Sequence, residues 1–314
     1  MYKRILVSGG TGLLGTGIRS ITHEYPESEF KFFSSRECDL TNLDNLLRYT
    51  DKFSPDAFIH TAALAGGVHY TQKYPATILR NNILMDMNVL EAQRQCGIGK
   101  VILTLSTGMY SPLAMMPIKE EYIHDGCPHT SNFSYAFAKR LVHPLITSYR
   151  KEYDVNVIGL IPNCIFGENM NYEIDKSLVI AGLIRRFYEN RSNKEPIIIW
   201  GDGMQLREYT YSRDMARAYL WCLNNYNEDQ IIHVGSVEEY TIKFIAYAIA
   251  DILGIEHTRL VFDITKPTGV DRKSTNNSKF IERSNFKYTP FYEGLKNSIK
   301  WFEENYETQG AVRL

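Results

Sequence analysis

Ile5-Leu6-Val7-Ser8-Gly9-Gly10-Thr11-Gly12-Leu13-Leu14-Gly15 passes from a short aliphatic run through a glycine cluster into a helical pattern, which continues through Ile18 and Ile21 to about His23. Strand, glycine turn and helix follow in that order. The glycines satisfy Gly-x-x-Gly-x-x-Gly from Gly9 and Gly-x-Gly-x-x-Gly from Gly10. Glycine is also the default residue of any tight turn, so the motif alone is weak. Its place between a strand and a helix gives it meaning. Backbone without side chains can approach a pyrophosphate at the positive end of a helix. Gly9, Thr11, Gly12, Leu13, Leu14 and Gly15 are therefore expected to cradle a dinucleotide.

Outward from this loop, Phe30-Lys31-Phe32-Phe33 precedes polar Ser34-Ser35-Arg36, and Ala57-Phe58-Ile59-His60 precedes Thr61-Ala62-Ala63. Further short apolar runs occupy 101–105, 155–161, 197–200 and 231–234, with helical patterns between several of them. Strands alternating with helices predict right-handed βαβ units. The expected fold is α/β, a doubly wound Rossmann parallel sheet with a smaller C-terminal α/β substrate domain. The division is expected at 1–162 and 163–314, with 205–235 returning to the main sheet and the active site in the cleft between the parts.

An NAD site places a carboxylate about 20 residues beyond the glycines to bind the ribose 2′-hydroxyl. Here Ser34, Ser35 and Arg36 stand in that region, with Glu37 next to them. Hydroxyls and a guanidinium suit a 2′-phosphate, so NADPH/NADP+ is the expected cofactor. Asp39, Leu40, Ala62 and Ala63 fall where adenine and ribose would lie, although Asp39 could equally cap a helix beginning near Thr41.

Phe133-Ser134-Tyr135-Ala136-Phe137-Ala138-Lys139-Arg140 puts Tyr135 and Lys139 four residues apart, on one face of a helix. A phenol of ordinary pKa ~10 moves protons poorly at neutral pH, and an ammonium beside it favours the phenolate. In a chain with 21 tyrosines that spacing also arises by chance. The run 101–105, however, ends in Ser106-Thr107, placing a hydroxyl at the carboxyl end of the sheet, where such folds bind ligands.

Composition narrows the partners. With 35 Lys+Arg against 36 Asp+Glu, the chain has no charge footprint for nucleic acid or an anionic membrane, so a small molecule fits better. The apolar run near the N-terminus is too short for a secretory leader, and no later run could cross a bilayer. Five cysteines without Cys-x-x-Cys spacing, and eight histidines without a ligand pattern, support neither a disulfide framework nor a metal site. A cytoplasmic protein with reduced thiols is expected.

The glycine loop with Ser106, Tyr135 and Lys139 resembles the extended short-chain dehydrogenase/reductase family, and within it the GDP-fucose synthase branch. The matching stretches run from end to end. They are Ala62-Ala63 with Gly66-Gly67, Tyr74-Pro75-Ala76 leading to Asn82, and Tyr135-Ala136-x-Ala138-Lys139. After these come Pro162-Asn163, Arg185-Arg186-Phe187, Trp200-Gly201-x-Gly203, Arg207-Glu208, Asp214-Met215-Ala216 and His233-Val234-Gly235. Last are Lys266-Pro267-x-Gly269 and Arg272-Lys273. The resemblance implies hydride transfer from NADPH to C4 of a GDP-4-keto sugar. Tyr135 would protonate O4, Ser106 would bond that oxygen, and Lys139 would hold the nicotinamide ribose beside Pro162. Asn163 would bond substrate, and Arg186, Trp200, Arg207 and Lys266 would line the nucleotide-sugar site, whereas Arg185 reads as a solvated surface residue. A homodimer packed through helices near 82–95 and 135–149 is also implied.

One departure matters. That branch also inverts C3 and C5, using a cysteine two residues after the serine and a histidine just before the Arg-Arg-Phe helix. Here those positions, which line the substrate with Thr107, are Gly108 and Leu178. Neither carries a proton. The expectation is a GDP-4-keto-6-deoxy hexose or heptose C4 reductase without epimerase activity, working after a separate dehydratase and epimerase. Alternatives are a bifunctional enzyme using Cys164 or His129 as substitutes, a nucleotide-sugar 4-epimerase, and a non-catalytic NADP-binding module.

Overall fold

The computed structural model describes the chain except for Asp175 and residues 267–269, and for the side chains of Val68 and His69. Pro267 and Gly269, part of one matching stretch, thus lie outside the described residues. The chain begins with β1 (Arg4–Ser8), α1 (Leu13–Ser20), β2 (Glu29–Phe33), α2 (Leu43–Phe53) and β3 (Ala57–His60). It continues through α3 (Val68–Lys73), α4 (Pro75–Cys96), β4 (Lys100–Thr104), α5 (Phe133–Tyr153) and β5 (Val157–Pro162). Then come β6 (Cys164–Phe166), α6 (Val179–Glu189), β7 (Ile197–Trp200), β8 (Leu206–Tyr211), α7 (Ser212–Asn225) and β9 (Ile232–Val234). The chain closes with β10 (Glu239–Thr241), α8 (Ile242–Leu253), β11 (Leu260–Asp263), β12 (Arg272–Lys273), α9 (Ser278–Ser284) and α10 (Phe291–Asn305).

The main sheet runs β2-β1-β3-β4-β5-β9, every pair parallel. Strand order reverses between β1 and β3, so the glycine loop after β1 opens at the switch point where such sheets bind ligands. β1, β3, β4 and β5 are buried almost throughout because helices cover both faces. Ile5 and Val7 pack with α1 and α7, while Leu6 packs with α2, α4 and α5. Period-2 alternation thus survives inside a doubly covered sheet.

Lys100, at the start of β4, is fully buried. Its ammonium donates to the carbonyls of Cys222 (3.0 Å), Leu223 (2.6 Å) and Tyr226 (2.7 Å), and to Asn227 Oδ1 (3.0 Å). It closes the carboxyl end of α7, where unpaired carbonyls and the helix dipole favour a cation. Burial pulls its pKa down to about 8.

The second part has its own core from α6, α8, α10 and β6–β8. β8 is its central strand, pairing with β6, β10 and β12. The segment expected to return to the main sheet divides. α7 and β9 join that sheet, whereas β8 stays in the smaller one, parallel to β6. The chain leaves the main sheet at Pro162 and enters the smaller one at Cys164, so Asn163 alone bridges the seam. Among the described residues, no helix is long and apolar enough to cross a membrane.

Candidate active site

The glycine turn closes through the Gly12 N–H donating to the Gly9 carbonyl at 2.8 Å, with Gly9 at φ +67°. A Cβ on Gly15 would stand 2.2 Å from that carbonyl oxygen, so the helix can begin this close to the strand only with glycine there. Above the turn, a cavity of about 390 Å³ runs from Gly9, Thr11 and Gly12 to Ser34, Ser35, Asp39 and Leu40, with Ala62 and Ala63 on its other wall. Leu14 is buried in the core behind the loop, and Leu13 faces the neighbouring cavity. A backbone cradle at a helix start, leading to a slot between two strand ends, fits a dinucleotide.

The adenosine end resolves two expectations. Glu37 lies outside the cavity lining and folds back to accept from the Ser34 backbone N–H at 2.8 Å and from its hydroxyl. The Ser34 hydroxyl and backbone hold this exposed carboxylate below its usual range. Asp39 accepts from the Thr41 backbone (2.9 Å) and hydroxyl (2.8 Å). It therefore caps a turn, and Asn42 caps α2 itself. Arg36 is exposed beside Ser35 and absent from the residues lining the cavity.

Ser106 and the pair Tyr135 and Lys139 come from the end of β4 and the start of α5. Ser106 Oγ accepts from the Gly108 N–H at 3.1 Å, which leaves its own proton free to donate. Arg140 ties this turn to α5 by donating to the Met109 carbonyl and, at 2.7 Å, to the Gly126 carbonyl. Tyr135 is half-buried.

Lys139 is buried, with its ammonium 3.1 and 3.3 Å from the two oxygens of Asp86 on α4. Asp86 faces His60 Nε2 at 3.3 Å, and His60 Nδ1 lies 2.7 Å from Ser8 Oγ. Burial holds His60 below its usual range, hence neutral. Burial alone would raise Asp86, but Lys139 and His60 override it and leave the carboxylate ionised. Neutral His60 thus stands between the two, with Nδ1 in hydrogen-bond contact with the Ser8 hydroxyl and Nε2 turned towards the Asp86 carboxylate. None of this chain was foreseen, because its members lie tens of residues apart and carry no local signal.

Leu178 and Gly108 sit where the departure matters. A Cβ on Gly108 would stand 3.3 Å from both Ser106 Oγ and Asn132 Nδ2, so any side chain there would face the catalytic hydroxyl. Leu178, 65 % exposed at the start of α6, lines two adjoining cavities of about 350 and 340 Å³ that also share Val179 and Arg207. The first adds Arg186 and Trp200, and the second adds Leu13 and Cys164. Thr107 is buried beneath the turn.

Two residues expected at the substrate have other surroundings in this structure. The Asn163 amide is committed internally, donating to the Ser236 carbonyl at 2.8 Å and accepting from the Thr210 hydroxyl at 2.7 Å. It holds the seam between the two sheets and has little left for substrate. Lys266 is exposed beyond β11 and lines neither cavity. Lys273 on β12 lines neither cavity either, but it is partly buried, in register with Arg207 and within electrostatic reach of it and of Cys164. Arg272-Lys273 was quoted in the sequence, but only strand pairing shows that it, and not Lys266, sits beside Arg207.

Arg207 donates to the carbonyls of Leu206 (2.7 Å) and Val270 (2.6 Å), and Arg186 to that of Ile198 (2.6 Å). Among the described residues, neither arginine nor Lys273 has a carboxylate within ion-pair distance. Burial lowers the pKa of Arg186 and Lys273, the mark of cations held without a counter-charge. Arg185 instead pairs with Glu189 at 2.7 Å, as a surface residue would. The substitute acid/bases fare poorly. Burial pushes the Cys164 thiol up despite Lys273 and Arg207, and His129 is exposed, capping its own turn through Ser131.

The sheet order, the glycine cradle and the Ser-Tyr-Lys set define an extended dehydrogenase/reductase, and residues 5–235 match the NAD dependent epimerase/dehydratase family. This chain belongs to that family. It is 35% identical to GDP-L-fucose synthase of Dictyostelium discoideum over 98% of this chain and 97% of that one. It is 29% identical to GDP-L-colitose synthase of Yersinia pseudotuberculosis, covering 95% and 97%. A GDP-L-fucose synthetase from Naegleria fowleri, solved bound to NADP, superposes with a TM-score of 0.93 at 32% identity, covering 99% of this chain and 95% of that one.

Two substitutions probe this arrangement. Asp86→Ala strands a buried ammonium and should lower unfolding free energy by about 3–5 kcal/mol, read from the urea midpoint at constant m. A loss no larger than an exposed pair's, about 1 kcal/mol, would refute the role given to the pair. Glu208 lies behind Arg207, and burial raises its carboxyl to about 7 against the donors Thr275 and Asn163. A raised folded pKa means that stability present below the unfolded pKa of ~4.3 is lost as pH climbs to neutrality. Glu208→Gln should therefore gain on the parent across that window by up to about 3 kcal/mol, measured as paired urea melts. A gain running the other way would show the carboxylate to be stabilised when ionised.

Proposed function

We propose that this protein is an NADPH-dependent oxidoreductase that reduces the C4 ketone of a GDP-4-keto-6-deoxy sugar, hexose or heptose, and has no C3/C5 epimerase activity of its own. The observation carrying the last clause is the pair of positions 108 and 178. One faces the catalytic hydroxyl and the other lines the substrate cleft, and they hold hydrogen and an alkyl chain. Membership of the family and the named relatives support a GDP-sugar substrate.

The bound nicotinamide supplies the hydride. Everything else falls to the chain. Arg186 and Arg207 attract a diphosphate into a cleft where, among the described residues, neither has a carboxylate partner; Lys273 adds charge beside Arg207, and bidentate arginine geometry suits the ligand. Trp200, 53 % exposed at the cavity wall, offers a flat face for a base. Ser106 donates a hydrogen bond to O4, keeping its proton, and Tyr135 delivers the single proton that this oxygen takes up as charge develops there. Lys139, fixed by Asp86, keeps a positive charge one helical turn from Tyr135. An inverted product would then need a separate epimerase acting between a dehydratase and this enzyme. Exposed Met87, Leu141 and Tyr153 on α4 and α5 support a homodimer packed through those helices.

The test is incubation with GDP-4-keto-6-deoxymannose and NADPH in deuterated water, with products read by NMR. The expected product carries no solvent deuterium at C3 or C5, and Tyr135→Phe binds NADPH yet makes none. Enzyme-dependent deuterium at either carbon would overturn the reductase-only reading. Turnover without added NADPH, on tightly held NAD, would favour a 4-epimerase instead.

A further inference from the structure

The C-terminal residues fold back over the cleft. Val312 is buried against the second core, the Arg313 carbonyl accepts from the Tyr172 N–H at 2.8 Å, and Arg313 bridges to Asn171 in parallel β fashion. The segment it pairs with is tied to the glycine turn. Asn169, at φ +63°, donates from its amide to the Thr11 carbonyl at 3.2 Å and to Thr16 Oγ1 at 3.4 Å, while its own carbonyl accepts from the Arg313 guanidinium. The chain end is thus tied, through one intermediate segment, to the loop that opens α1.

That placement puts Arg313 in the walls of two cavities, the dinucleotide slot with Gly9, Thr11 and Gly12, and the adjoining cleft with Leu13, Cys164 and Arg207. Among the described residues lining the dinucleotide slot, Arg313 is the one cation and Asp39 the one anion. Asp39 belongs to the adenosine end, so the charge at the diphosphate end is net positive. The nearest acids are otherwise engaged. Glu173 pairs with Lys176 at 2.6 Å, and Glu168 with Arg213 at 2.7 Å and the Tyr211 hydroxyl at 2.6 Å.

We infer that Arg313 is a diphosphate ligand, clamping the cofactor's diphosphate against the backbone cradle of Thr11 and Gly12, so that the segment around Arg313 completes the cofactor site. Helix-start N–H groups and a guanidinium on opposite sides of one diphosphate divide the task by chemistry, the backbone giving directed donors and the arginine giving charge. The inference rests on the NADP reading above. The nucleotide sugar carries a diphosphate too, and the measurement separates the two.

The protein and its Arg313→Ala, Arg313→Lys and 311–314 deletion variants are titrated with NADPH by fluorescence and with GDP by calorimetry. Loss of one charge-assisted contact should raise the NADPH Kd about tenfold or more in Arg313→Ala and in the deletion, with partial recovery in Arg313→Lys. GDP affinity should stay unchanged. Competition by adenosine 2′-monophosphate, which lacks the diphosphate, should also be unchanged in Arg313→Ala. An unaltered NADPH Kd, or an effect confined to GDP, overturns the assignment. Failure of the parent to bind NADPH overturns instead the cofactor reading on which it rests.

Discussion

A buried ammonium needs a counter-charge, and the geometry of this active site follows from where Lys139 finds one. Its partner Asp86 lies on α4, so α4 and α5 must pack side by side, and they do so over the carboxyl ends of β3 and β4. Asp86 in turn faces His60, the last residue of β3, and His60 meets Ser8, the last residue of β1. The residue after Ser8 opens the glycine turn, and those after His60 form the opposite wall of the cofactor slot. One charge thus fixes the cofactor loop, the slot wall and the catalytic helix relative to one another. Removing any partner leaves an uncompensated polar group in a dry interior, which is why such chains are all-or-none.

The cleft shows the opposite strategy. Arg186 and Arg207 are held by carbonyls, Lys273 has no carboxylate partner among the described residues, and burial raises the carboxyl of nearby Glu208 to about 7. Their charge is left for a ligand. Asn163 makes this possible without touching the ligand, since its amide joins the Ser236 carbonyl and Thr210 across the one-residue passage between the sheets. Gly235 at φ +152° supports it, because a Cβ there would stand 2.4 Å from that amide.

How much of this was legible depends on the range of the interaction. The glycine turn and the Tyr135/Lys139 face are local patterns, set by strand and helix periodicity within a few residues, and they could be read directly. The main sheet was legible because short buried runs alternate with helical ones. Asn163 was legible as a matching residue but not as a seam, since an amide committed to its own backbone looks the same in sequence as one free for substrate. Lys266 and Lys273 stand seven positions apart in one polar stretch, and only β12 pairing beside Arg207 separates them.

The sequence by itself determined the α/β class, and it presented the glycine loop, the proposed Ser106, Tyr135 and Lys139 set, and side chains that carry no proton at 108 and 178. These depend on residue identity and short spacing. Only the tertiary structure decided that Asp86, His60 and Ser8 form a buried chain to Lys139, that Lys273 pairs beside Arg207, and that Arg313 reaches the glycine loop from a distant stretch of the chain. Those contacts join residues 26 or more positions apart, where proximity comes from sheet order and packing and leaves no periodic trace.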